Sequence, residues 1–352
     1  MNKILVLYIL AFTLFLGACT STLTQSTLLT TEPTTTSASS VDTTFTSSTT
    51  ASPTTWTTST SFTTTNTTTS FTTANTTTSL LPTTTTRLCK ATNYDYDINA
   101  LNYELVWFDE FNSLTATQPS IIKWRYQTGG GGWGNEELQF YTDPSINSNH
   151  TNAQVGNGFL TITAKKETIG TNLYTSARMN SNASWLYGRI DVRAKLPQGA
   201  GTWPAIWMMP QHSAYGSWPN SGEIDIMEHV GTNMNRVHFS IHSQAYNHKI
   251  GTQKTYVTTV PNVSTEFHLY SVEWLPDQIR FFVDNVLYWT YRPTNFVSCP
   301  TEEQWPFDRP FYLILNVAIG GWGGTPYANF VQETMTIDYV RVYQSPVITA
   351  IS

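Results

Sequence analysis

Charge is scarce in this 352-residue chain. Lys, Arg, Asp and Glu make up 12% of it, and the formal net charge is −6 with no basic stretch. A nucleic-acid partner, which needs clustered Lys and Arg, is thereby excluded. Long apolar runs are also missing: residues 4–16 form a run shorter than a bilayer span. Nowhere does the pattern of a long amphipathic helix appear, so a core must be built from short strands. Cysteine occurs three times, as Cys19, Cys89 and Cys299. Aromatics, in contrast, are plentiful, with 12 Trp and 18 Tyr. Rings in such number serve an ordinary core, a sugar-binding cleft, or both.

Lys3 and the apolar run after it read as an export segment. Leu16-Gly17-Ala18-Cys19 resembles the bacterial lipoprotein signal. That resemblance implies an exported protein whose acylated Cys19 anchors it to the bacterial cell membrane or surface without crossing the bilayer. Ordinary secretory cleavage near Ala18 is the alternative. Residues 20–87 are Thr/Ser-rich, with Glu32 and Asp42 among very few charges. They hold too little apolar surface to fold and are expected to be a disordered linker, with a reach on the order of 45 Å. Ser61-Phe62-Thr63-Thr64-Thr65-Asn66 returns as Ser70-Phe71-Thr72-Thr73-Ala74-Asn75, a repeat too short for a solenoid unit. With Cys19 assigned to export, Cys89 and Cys299 remain, compatible with one disulfide or with two thiols.

Residues 88–346 form the expected folded domain. Strand patterns fall at 105–111, 159–165, 185–195, 201–210, 237–242 and 270–274. Asp284-Asn285 between two apolar segments signals a two-residue hairpin. Residues 311–319 are apolar enough to be buried on both faces, and 336–343 alternate as a closing strand. Many short strands with Gly, Pro and Asn turns indicate an all-β sandwich or barrel. Trp203 and Trp207, four apart on one strand, share a face, and we assign that face to a cleft. His238 and His242 also share a strand face, but no third ligand joins them for a metal.

The densest chemistry lies in Ser221-Gly222-Glu223-Ile224-Asp225-Ile226-Met227-Glu228-His229. Glu223 and Asp225 alternate with Ile224 and Ile226, so the acids share one face of a strand and the isoleucines the other. Glu228 has the wrong parity and would enter the core, where a lone carboxylate is costly. One extra residue in a β-bulge turns it back to the acid face. Met227, unbranched and adaptable, is the expected bulged residue. Two carboxyls about 5–5.5 Å apart are what a retaining glycosidase needs. The bland reading of the same acids is an exposed, charged edge strand.

Gly222-Glu223-Ile224-Asp225-Ile226-Met227-Glu228 resembles the signature of glycoside hydrolase family 16 in its laminarinase-like form. The resemblance spans roughly residues 97–343 and implies a curved β-sandwich, or jelly roll, with an open substrate cleft. It implies Glu223 as nucleophile, Asp225 as assisting acid and Glu228 as acid/base, with no cofactor needed for the chemistry. Met227 fits the laminarinase-type branch, since lichenase-type members lack the extra residue; agarases and carrageenases share it. By the same resemblance Asn135, in the glycine-rich loop Gly129-Gly130-Gly131-Gly132-Trp133-Gly134-Asn135, contacts substrate. Arg178 and His242 are implied as further cleft residues, His242 near Glu228 or the sugar. Asp338 matches an Asp that in the family holds a structural calcium, an ion that wants several oxygen ligands. The reading reached is a monomeric endo-β-glucanase acting on β-1,3-glucan. The rivals are another polysaccharide in the same cleft (agar, carrageenan or mixed-linkage glucan), a transglycosylase, and a non-catalytic sugar-binding surface protein.

Overall fold

In a computed structural model the chain is described over residues 88–146 and 149–352. The export segment, Cys19 and the Thr/Ser-rich stretch to Arg87 lie outside the described residues. Period-2 patterning becomes two packed sheets. The first has seven strands in the order Lys254–Thr259, Arg236–His242, Glu223–His229, Thr202–Pro210, Phe311–Ile319, Arg178–Ser181, Trp124–Tyr126. The second has ten. Its main path runs Val286–Tyr291, Ile279–Val283, His268–Trp274, Gly188–Lys195, Gln332–Gln344, Phe159–Lys165, Tyr174–Ser176, Gln139–Tyr141. Glu104–Asp109 pairs with Gln332–Gln344, and Ala153–Gly156 with Phe159–Lys165. The result is the all-β jelly-roll sandwich that the strand patterns and the resemblance implied. Among the described residues the one α-helix is the single turn Pro346–Thr349.

One apolar core joins the sheets. Ile206, Ile224, Phe239 and Leu315 from the seven-stranded sheet belong to the same cluster as Ile190, Val192, Phe281 and Val340 from the ten-stranded one. Each fully buried side chain of this size contributes about 1.5–3 kcal/mol. Phe159–Lys165 shows the strict alternation expected of a half-buried strand. The hairpin forms at Asp284-Asn285, both in the left-handed region at φ 51° and 63°, as a type I′ turn requires. Packing continues beyond the expected boundary at residue 346, because Ile348 is buried in the same core.

The closing strand departs from the clean alternation expected of it. Ile337, Val340 and Val342 are buried, and the step from 337 to 340 is odd. The register shifts between Ile337 and Tyr339, which pair with the adjacent residues Ala194 and Arg193. Asp338 is thus the extra residue of a bulge.

Cys89 and Cys299, whose state the sequence left open, form a disulfide with Cα atoms 4.7 Å apart. Beside it, the Lys90 N–H donates to the Pro300 carbonyl at 2.8 Å, and the Lys90 ammonium pairs with Asp308 at 2.7 Å. The bond spans 210 residues of sequence, so in a chain-entropy picture it removes much freedom from the unfolded chain. A Cys89→Ser, Cys299→Ser double variant is expected to fold with about 2–5 kcal/mol less stability. Urea melts of the two proteins check this; equal midpoints would show that the bridge contributes nothing.

Candidate active site

The seven-stranded sheet turns one face to the core and the other to a groove of about 760 Å³. Alternation decides which side chains reach it. On Thr202–Pro210, Trp203, Ala205, Trp207 and Met209 line the groove, while Ile206 and Met208 are fully buried in the core. On Arg236–His242, His238, Ser240 and His242 face the groove, and Val237, Phe239 and Ile241 face inward.

The Glu223–His229 strand lies between these two and carries the expected bulge. Asp225 pairs with Trp207 and Glu228 with Ala205, so three steps on this strand match two on its neighbour. The other side agrees, with Asp225 opposite Ser240 and Glu228 opposite His238. Towards Thr202–Pro210 it is Ile226 that lacks a partner, since Met227 pairs with Ile206. The extra residue therefore belongs to the Ile226–Met227 pair rather than to Met227 alone. Both side chains are fully buried, and Glu223, Asp225 and Glu228 all line the groove. Gly222 lets the strand begin here. Its φ is +90°, and a Cβ would stand 2.9 Å from both Phe307 and Pro306, so any side chain is excluded.

Each glutamate receives an indole donor. Trp218 Nε1 donates to Glu223 Oε2 at 2.7 Å, and Trp203 Nε1 donates to Glu228 Oε1 at 3.1 Å. His242 Nε2 lies 3.3 Å from Asp225 Oδ2 and 3.8 Å from Glu223 Oε1. Burial and the charge of Asp225 push Glu223 up to about 8, while His242 and the Trp218 bond oppose the shift. Burial raises Glu228 to about 7, with His242 and the Trp203 bond pulling down and Glu223 pushing up. Asp225 is raised well above the carboxylate range by burial and by the Glu228 charge. Three acids this close cannot all ionise, so the cluster retains protons near neutrality.

The remaining sequence-assigned cleft residues, Asn135, Arg178, Trp203, Trp207 and His242, all line the same groove. The Arg178 guanidinium lies between two rings, 4.9 Å from the centre of Trp133 and 4.6 Å from that of Trp207. His242 sits against Asp225 and Glu223, where the sequence reading offered Glu228 or the sugar. Sequence reasoning missed Trp218 and Asn316, which accepts from Trp207 Nε1 at 2.7 Å. A signal existed for both. Asn316 is the one amide in a strand whose other side chains, Tyr312 aside, are apolar, and Trp218 is a large ring in a Gly/Pro/Asn-rich loop.

The Asp338 carboxylate pairs through Oδ2 with Arg193, so a calcium ion there would compete with a guanidinium for it. Among the described residues, Glu223, Asp225 and His242 are the set whose ligand-type atoms all lie within 4.8 Å of one another. An ion held there would fill the space the acids need for chemistry.

The similarities to known proteins agree with this geometry. A beta-glucanase of Rhodothermus marinus is 48% identical over 267 residues, covering 73% of this chain and 90% of that protein. A glucan endo-1,3-beta-glucosidase of Cryptopygus antarcticus is 37% identical over 252 residues, covering 67% and 90%. The X-ray structure of the laminarinase from Rhodothermus marinus superimposes with a TM-score of 0.65 at 47% identity, covering 69% of this chain and 98% of that one. Residues 140–341 match the pattern of glycosyl hydrolases family 16, and the chain belongs to that family.

Proposed function

We propose that this chain is a retaining endo-β-glucanase that cuts β-1,3-glucan, with Glu223 as nucleophile and Glu228 as acid/base. The observation that carries the reading is the bulge, which sets both glutamates and Asp225 on one wall of an aromatic groove. The Glu223 carboxylate attacks the anomeric carbon while Glu228 gives its proton to the departing oxygen. Glu228 then takes a proton from water, which displaces Glu223 and restores the original configuration. The two carboxyls and water supply every proton and electron pair, so no cofactor enters.

Asp225 governs the resting protonation state. Holding a proton, it donates to Glu223 and removes the negative charge that otherwise pushes Glu223 up. With Asp225 ionised, Glu223 stands above Glu228, about 8 against about 7. Protonated Asp225 lifts that push from Glu223, and we assign the remaining charge to Glu223, where it raises Glu228. The names of the relatives support β-1,3-glucan as substrate, and the open groove suits attack within a long chain. The protein acts as a monomer at the cell envelope, held by acylated Cys19 through the Thr/Ser-rich linker.

The chain from residue 20, incubated with laminarin, mixed-linkage glucan and agarose, is expected to release new reducing ends from laminarin as short oligosaccharides. Activity on agarose alone would overturn the substrate. Silence on all three from a folded protein would favour a sugar-binding role. Labelled palmitate is expected to enter the full-length chain in a bacterial host but not its Cys19→Ser variant; equal labelling would sink the anchor.

Glu223→Gln is expected to lose turnover, and its stability should depend on pH in a set direction. Burial raises all three acids, Glu223 to about 8 and Glu228 to about 7 from an ordinary 4.5, and Asp225 in the same direction. The folded cluster as a whole therefore keeps protons that the unfolded chain gives up, and native stability falls as pH rises from about 4.5 to 8. Glu223→Gln takes one acid's charge out of the cluster, so its Tm should fall less steeply than that of wild type across this window. Parallel Tm curves would remove the Glu223 charge from the account, and near-wild-type activity would remove its role as nucleophile.

A further inference from the structure

Glu137 is an acid that the mechanism leaves unused. It is 6% exposed, yet it reaches the groove wall. A carboxyl so placed needs donors, and they converge on it. Gln139 Nε2 at 2.5 Å and the Tyr141 hydroxyl at 2.9 Å both donate to its Oε2, and Asn135 Nδ2 lies 3.5 Å from Oε1.

The bonds continue in one direction. Trp207 Nε1 donates to Asn316 Oδ1 at 2.7 Å, Asn316 Nδ2 donates to the Tyr141 oxygen at 3.0 Å, and Tyr141 donates to Glu137. Every donor points towards the carboxyl, an arrangement in which each bond polarises the next. The tyrosine ring meets Trp133 edge-on at 5.3 Å between centres. Trp133 and Trp207 are the two rings that hold the Arg178 guanidinium. Glu137 thus terminates a relay that holds the groove-lining Trp207 and Asn316 and, through ring contacts, Trp133 and Arg178, and it touches Asn135 as well.

We propose that Glu137 is a positioning residue for this wall: as the terminal acceptor of the Trp207–Asn316–Tyr141 relay, it fixes the ring planes and the guanidinium against which a sugar unit binds. The proposal rests on the polysaccharide-hydrolase reading for what the wall binds, while the relay itself stands on geometry alone. Its effect should fall on substrate binding, because none of the relay bonds reaches Glu223 or Glu228 and the Arg178 charge is the smallest of the influences on Glu223.

Two variants at one position separate an acceptor from a charge. Glu137→Gln keeps a carbonyl oxygen able to accept from both Gln139 and Tyr141. Glu137→Met has similar volume and no oxygen. Tyr141→Phe cuts the relay one link further on and removes a single atom, so it carries the test if the Met variant does not fold. Glu137→Met and Tyr141→Phe are expected to raise KM for laminarin about five- to ten-fold, the scale of one lost hydrogen bond. Their kcat and pH profile should stay close to wild type, and Glu137→Gln should restore KM to within about two-fold.

A readout independent of turnover is the indole N–H resonance of Trp207, identified as the signal absent from Trp207→Phe. It should move in the Met and Phe variants and return in the Gln variant. An unmoved resonance would overturn the relay whether or not the chain cleaves laminarin. A moved resonance with unchanged KM would overturn the positioning role. Gln as damaging as Met, with kcat falling, would show that charge and not acceptance matters, and would also overturn it. A wild-type chain that cleaves no glucan but shows the resonance pattern would fault the substrate reading and leave the relay standing.

Discussion

One inserted residue on the Glu223–His229 strand decides what the rest of the groove can be. Without it Glu228 would point into the core beside Ile224, and a lone buried carboxylate there is costly. With it, Ile226 and Met227 both take the core side, and Glu228 joins the other acids. The insertion also chooses neighbours. It sets Glu228 across from Ala205 and His238, and Asp225 across from Trp207 and Ser240. The indole of Trp203, two residues before Ala205 on the same face, then reaches Glu228. A register slip of one residue on either flanking strand would exchange groove and core side chains along its length.

Crowding three acids requires stabilisation of a particular kind. An Arg or Lys in contact would hold the carboxyls ionised and leave no proton for a leaving group. The structure instead gives each glutamate one indole N–H and sets His242 beside Asp225. Both trim the rise that burial causes, His242 ahead of the indole at either glutamate, and neither reverses it. The cationic side chain that does approach, Arg178, is set between two rings, where the ring faces accept part of its field.

What could be read in the sequence was whatever rests on parity and local turn chemistry. Alternation placed Trp203 and Trp207 on the groove face, the odd position of Glu228 demanded a bulge, and Asp284-Asn285 announced its own turn. Asp338 shows where such reading stops. Its surroundings looked like regular alternation, but the two buried sets on either side of it are out of phase, and its partner Arg193 lies on a strand 145 residues earlier. The disulfide was equally illegible, because two cysteines 210 residues apart say nothing of their spatial separation. Trp218 was missed for a similar reason. Its loop has no periodicity, and only the folded path brings its indole back to a glutamate five residues on.

The relay through Tyr141 and Asn316 ties recognition to the fold itself. Tyr141 lies on the ten-stranded sheet and Asn316 on the seven-stranded one, so their bond crosses between the layers. Gln139, which donates to Glu137, accepts from the Ile319 backbone N–H at 2.7 Å and crosses in the same way. All of Gln139, Tyr141 and Asn316 are buried, and each would leave a costly unpaired group if its partner were lost. At this end of the groove, then, a change that alters sugar contacts must also disturb the joint between the sheets. The Trp218 loop has no such obligation, since its indole bonds to Glu223 from a half-buried position. Variation in substrate preference should therefore be easier to accommodate beside Trp218 than beside Trp207, because only the latter is anchored in the packing that holds the sandwich together.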